Sequence, residues 1–204
     1  GEQAGYSTTT GDENTFVGIY AGTDNTTGSH NTSLGKNALK DNTTADNNTA
    51  VGMDALKANT TASNNTAVGY SALVSLTTGE NNTAVGDRAG DAITTAEENV
   101  AIGKSSLGAQ TTGSYNTAVG KDSLKSSTTG YGNTAVGRDA GEAITTGYAN
   151  TLLGRQTGQT MTTNQCCSFI GAMSGEYTEG NNNTAVGYYA LRGSNGNTTG
   201  TNNT

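Results

Sequence analysis

Few side chains in this sequence are of a type that does chemistry, and their spacing narrows what that chemistry can be. His30 is the single histidine of 204 residues. It sits in a turn position that other units fill with Asn, Glu or Tyr, where a solvated residue is expected. No Ser-His-Asp set can be assembled around one such histidine. No Gly-rich loop resembles a phosphate cradle, and the regular aspartate of calcium-binding repeats is missing. The expectation is a protein without catalytic site, metal or cofactor. Two sets of residues could bind rather than react. Lys104, Lys121, Arg138 and Arg155 recur 17 residues apart, and Tyr131 and Tyr148 share another such column with Tyr115 one place away. Stacked cations and aromatics could hold an anionic glycan; the plainer reading is a solvated edge, with Asp122 and Asp139 offsetting the cations. Cys166 and Cys167 are adjacent, and neighbours on a strand face opposite ways. They read as an interchain disulfide site, as a strained bridge to each other, or as free thiols acting as small fillers.

These columns exist because the chain is one unit written repeatedly. Variants of Asn116-Thr117-Ala118-Val119-Gly120 return every 17 residues, closing on Gly1, Gly18, Gly35, Gly52, Gly69, Gly86, Gly103, Gly120, Gly137, Gly154 and Gly171, and then after 16 residues on Gly187. A short fixed period is the mark of a repeat architecture. Three residues after each glycine comes a small residue, as in Ala21, Ala38 and Ala55. The next is Leu (Leu39, Leu56, Leu73, Leu107, Leu124, Leu191) or Gly (Gly5, Gly22, Gly90, Gly141, Gly158, Gly175). Gly90, Gly141 and Gly158 are followed three places on by Ile93, Ile144 and Met161, where most Leu units have Asn, Gln or Ser. This reads as volume exchange inside a packed rung; Gly5, Gly22 and Gly175 have no such compensating residue. A threonine pair such as Thr43-Thr44 precedes a turn, and the unit closes on Asn-Thr-Ala-Val-Gly.

Gly, Asn and Thr are poor helix formers, and the apolar positions are too sparse for a helical stripe. Short strands separated by turns fit, so the fold class is all-β: a parallel β-solenoid of twelve 17-residue repeats, spanning 1-204 as a single array. Within the closing segment Asn and Ala should face one way, Thr and Val the other. Asn31, Asn48, Asn65, Asn82, Asn116 and Asn133 should then form a ladder of stacked amides. Gly52, Gly69, Gly86 and Gly120, which close their units, are expected to belong to the same structural ladder. The chain stops at Asn202-Asn203-Thr204, where another Ala-Val-Gly would follow, and reads as an excerpt of a longer array.

Composition limits the partners. With 31% hydrophobic residues, 30 glycines and no proline, a conventional core is out of reach, yet 13% charged residues in strict register is unlike a disordered chain. A net charge of -7 argues against nucleic acid, and no apolar run reaches membrane-span length. Burial of one Val and one Leu per unit offsets little of the entropy of ordering 17 residues. Further chains are therefore expected on the small and Ala columns, most simply as a homotrimer.

The N-T-A-V-G-x-x-A-L unit with its T-T-G turn resembles the repeats of bacteriophage tail fibres and related phage or bacterial surface proteins. More distantly it is similar to the S-V-A-I-G-x-x-A repeats in the heads of trimeric autotransporter adhesins, whose unit is shorter. The resemblance implies a trimeric parallel β-roll exposed outside a cell or on a virion, serving as a shaft. An adhesin contacting a cell-surface glycan or protein receptor is the alternative. Regular threonine arrays raise ice binding as a further reading, although only one of each Thr pair can join a flat face.

Overall fold

The protein is described by a computed structural model covering residues 1–193 and 200–202. Within them are eleven strands of three residues and no helix: β1 (Thr15–Val17), β2 (Thr32–Leu34), β3 (Thr49–Val51), β4 (Thr66–Val68), β5 (Thr83–Val85), β6 (Val100–Ile102), β7 (Thr117–Val119), β8 (Thr134–Val136), β9 (Thr151–Leu153), β10 (Ser168–Ile170) and β11 (Thr184–Val186). They form one sheet in chain order, every neighbouring pair parallel, with Thr over Thr, Ala over Ala and Val over Val wherever the sequence allows. The chain is a β-solenoid of ten turns between eleven strands. Each of the eleven closing glycines from Gly18 to Gly187 directly follows one of these strands. The 16-residue step does not slip the register, since Ser168 pairs with Thr184 as it does with Thr151. The insertion between Leu191 and Thr198 runs through residues 194–199, outside those described.

Three residues of strand leave fourteen to bring the chain round, and the rung does this with left-handed residues. In the unit opened by Gly35 these are Asn37, Leu39 and Asn47, with φ of 57°, 51° and 59°. Such a conformation costs a non-glycine residue about 1–2 kcal/mol. The compensation is visible in the hydrogen bonds. Each of these residues turns its N–H towards an adjacent rung: Asn37 to the Ile19 carbonyl, Leu39 to Ala55 and Asn47 to Ser29, all at 2.9–3.1 Å. Parallel pairing therefore continues around the whole coil. The closing glycines are bound by two constraints. Gly86 and Gly120 have φ of 144° and 132°, and a Cβ on Gly86 would lie 2.7 Å from the carbonyl of Gly103. No other residue fits.

The core is complete within one chain. Away from the end rungs the small column, the Leu column, the ladder asparagines and the strand alanines are buried, for example Ala38, Leu39, Asn48 and Ala50, while Ala4, Asn14, Ala190 and Leu191 at the ends are partly buried. Thr and Val face outward, as the alternation required. This corrects one expectation: the small and Ala columns cannot receive another chain, because their own coil covers them. The sparse apolar content misled because amides and alanines fill most of the interior.

Volume exchange accounts for every glycine in the Leu column. Ile93, Ile144 and Met161 occupy the space above Gly90, Gly141 and Gly158. For the other three, the filling comes from the strand. Phe16 replaces the strand alanine of β1 and lies against both Gly5 and Gly22, and Phe169 of β10 lies against Gly175. A single ring thus does what a leucine does elsewhere.

Candidate functional site

The interior columns are structural. In the asparagine ladder, the Asn48 N–H donates to Asn31 Oδ1 at 2.9 Å while the Asn48 amide donates to the Ala62 carbonyl at 2.9 Å. Side-chain amides also bond directly, as Asn116 Nδ2 does to Asn99 Oδ1 at 3.2 Å. Asn31, Asn48, Asn65, Asn82, Asn116 and Asn133 are buried, so each rung fixes the next through groups that would be costly to leave unpaired. A second, shorter ladder runs through Asn25, Asn42 and Asn59, where Asn42 Nδ2 donates to Asn25 Oδ1 at 2.6 Å. Three asparagines in one column were its signal in the sequence. In each threonine pair from Thr26 to Thr145, the first hydroxyl donates to the carbonyl of its counterpart one rung on, Thr26 to Thr43 at 2.8 Å. The second threonine is exposed.

The residues singled out for chemistry are dispersed. His30 is a left-handed turn residue whose Nδ1 lies 3.1 Å from Glu13 Oε2 on the exposed surface. Both cysteines are free thiols, Cys166 exposed and Cys167 buried. Cys167 takes a ladder position, its N–H bonded to Asn150 Oδ1 at 3.0 Å. Burial pushes its thiol pKa up, which makes it a filler rather than a nucleophile. Of the two, only Cys166 can meet a partner. Among the described residues no cluster of His, Cys, Asp and Glu could hold a metal ion, and no helix is long and apolar enough to cross a membrane.

The cation column is outside, but most of its charge is already met. Lys104 lies 3.1 Å from Asp87, Lys121 3.1 Å from Asp122, and Arg138 3.0 Å from Asp139. Burial would raise the Asp122 pKa, yet hydrogen bonds from Lys121 and Lys125 hold it below the usual carboxylate range. Tyr131 and Tyr148 stack with ring centroids 4.8 Å apart and planes 5° from parallel. Tyr115 is exposed in the rung before. Tyr131 lies three residues before β8, whereas Arg138 lies two residues after it. The structure therefore places the tyrosines and Arg155, Arg138, Lys121 and Lys104 on opposite flanks of the sheet. The cation–π contacts involve other residues: Arg88 with Tyr70, and Arg192 with Tyr177 and Tyr189.

Between those flanks runs the most regular outer surface of the molecule. The outward residues of β1–β11 are Thr, Ser or Val in one column and Val, Leu or Ile in the other, with no charge anywhere. Several are well exposed for their type, among them Val17 at 51%, Leu34 at 48% and Ile170 at 43%. Ten strand spacings of roughly 4.8 Å make this strip about 50 Å long. Comparisons of the chain with protein families, with curated proteins and with solved structures find no match.

Proposed function

We propose that this chain is a structural segment of an extracellular or virion-borne fibre, in which copies associate side by side, three around an axis, through the charge-free Thr/Val strip. The strip carries the proposal. An unbroken column of outward-facing aliphatic residues, each exposed or partly exposed, along the whole rod is a surface that water leaves at a gain. Its repeat is the same in every copy, so two strips meet in register and their side chains interdigitate as packed sheets do. A second copy is the occupant that matches this spacing at every rung. With its flanking turns, a strip about 50 Å long approaches the ~800 Å² per partner of a stable interface. The likeness to tail-fibre and adhesin-head repeats supports the location and the chain number. Rigidity would come from the buried ladders.

Light scattering on the size-fractionated chain tests this. A mass of three chains is expected, with dissociation when Val85 and Val119 are both replaced by Lys. A wild-type chain that stays monomeric at high concentration overturns it. In that case the regular hydroxyl and methyl columns of the bare strip favour the ice-binding reading, and thermal hysteresis of the monomer becomes the deciding measurement.

A further inference from the structure

One column of the outer surface is interrupted. The fifth residue after each closing glycine carries a side chain through most of the array: Lys40, Lys57, Val74, Asp91, then Gly108, then Lys125 and Glu142. Gly108 leaves a gap one rung tall, and the result is a notch of about 400 Å³ lined by Arg88, Asp91, Ser105, Gly108, Ala109, Lys125 and Ser126. That volume lies within the usual range of small-ligand sites. Gly108 is not left-handed, and the nearest atom to an added Cβ would be the Ser105 carbonyl oxygen at 3.2 Å, a close but not forbidding approach. The Asp91 carboxylate reaches over the gap, 3.7 Å from where a Gly108 Cβ would stand.

The polar groups at this notch are incompletely used. Asp91 has no ion pair among the described residues. Burial raises its pKa; hydrogen bonding from its own backbone N–H offsets part of this, followed by Arg88 acting through space and a smaller contribution from the Ala92 N–H. Lys125 is already held by Asp122 at 3.3 Å. Charge is thus nearly balanced, which disfavours a strongly ionic ligand. What the notch offers is a carboxylate acceptor lining the same open recess as a guanidinium and two serine hydroxyls. A ligand that both donates and accepts at adjacent carbons satisfies all of them. We propose that the Gly108 notch binds the ring of a neutral pyranose sugar, Asp91 accepting from two neighbouring hydroxyls while Arg88 and the Ser105 and Ser126 hydroxyls bond the ring's other oxygens. This stands independently of whether rods associate through the Thr/Val strip.

The array supplies its own control, because Lys occupies the Gly108 column in three other rungs. Gly108→Lys should fill the notch and leave the fold intact. Saturation-transfer NMR and titration on the full chain would use the methyl pyranosides of glucose, galactose and mannose as probes, with methyl glucuronoside as the charged comparator. At least one neutral glycoside should bind. Asp91→Asn should weaken it at least tenfold, as expected on losing a charged acceptor, and Gly108→Lys should abolish it with the melting temperature unchanged. The proposal is overturned if none of the three binds, if Gly108→Lys binds as wild type does, or if the glucuronoside is the tighter ligand.

Discussion

Rungs with leucine and rungs with glycine at the same position enclose the same coil by different means. In a leucine rung such as that of Leu56, a left-handed residue with φ of 50° projects its own side chain inward, and Asn59 three places on extends the amide ladder. In the rung of Gly90, the backbone is equally left-handed at 59°, no Cβ is strained, and Ile93 fills the interior. In the rung of Gly175 the filling comes from Phe169 on the neighbouring strand segment. The backbone path is the invariant; the interior volume is met from whichever column can supply it. Close packing requires the space to be filled, and is indifferent to which residue fills it.

That comparison breaks most sharply at Phe169. Phe169→Ala leaves both alanine and glycine facing one void, and thermal and urea unfolding should show a loss of about 3–5 kcal/mol. Adding Gly175→Leu converts the rung to the leucine type and should recover most of the loss. A double variant no more stable than the single would show that the two rung types are not interchangeable. The reverse exchange is smaller. Gly90→Leu drives a side chain into Ile93 and Leu73, whose methyl groups lie 3.0 Å from an added Cβ, at a cost of roughly 1–3 kcal/mol. Ile93→Asn in the same chain should restore stability by recreating the Leu56 pattern, a coupling readable in a double-mutant cycle. The smallest effect is expected where neither rule applies. Ser127 is buried in the Asn42–Asn59 column, but its hydroxyl has no hydrogen-bond partner among the described residues. Ser127→Ala should change the unfolding free energy by no more than about 0.5 kcal/mol or raise it slightly, whereas Asn59→Ala should be clearly destabilising because Asn59 bonds the Ala62 carbonyl at 2.9 Å and Asn42.

The coil, its 17-residue turn, the parallel register, the asparagine ladder and the inward and outward faces were legible because each is periodic. A residue repeated at the same place in every rung announces its environment. Departures were harder to read. Phe16 and Phe169 sit in the strand column rather than three places after glycine, so their pairing with Gly5, Gly22 and Gly175 appears only when the coil is closed. Left-handed turns also gave little warning. Tyr20, Arg88 and Met173 adopt φ of 54–58° although none favours it, because inter-rung hydrogen bonds such as Arg88 N–H to the Tyr70 carbonyl at 2.9 Å impose the geometry. The cations and tyrosines share a repeat but not a flank, which column spacing alone does not distinguish. The gap at Gly108 was a single letter in a column not otherwise noticed.

The confinement of every strand's partners to the rungs immediately before and after has a genetic corollary. Removing or duplicating one whole unit rejoins strands already in register, so recombination between repeats changes length in steps of roughly 4.8 Å, with a compensating substitution needed only where a ring fills a glycine of the next unit, as Phe169 does for Gly175. Reach becomes a trait that can drift or be selected separately from stability, and in the 16-residue unit closing at Gly187 the strands stay aligned although the connection is one residue shorter.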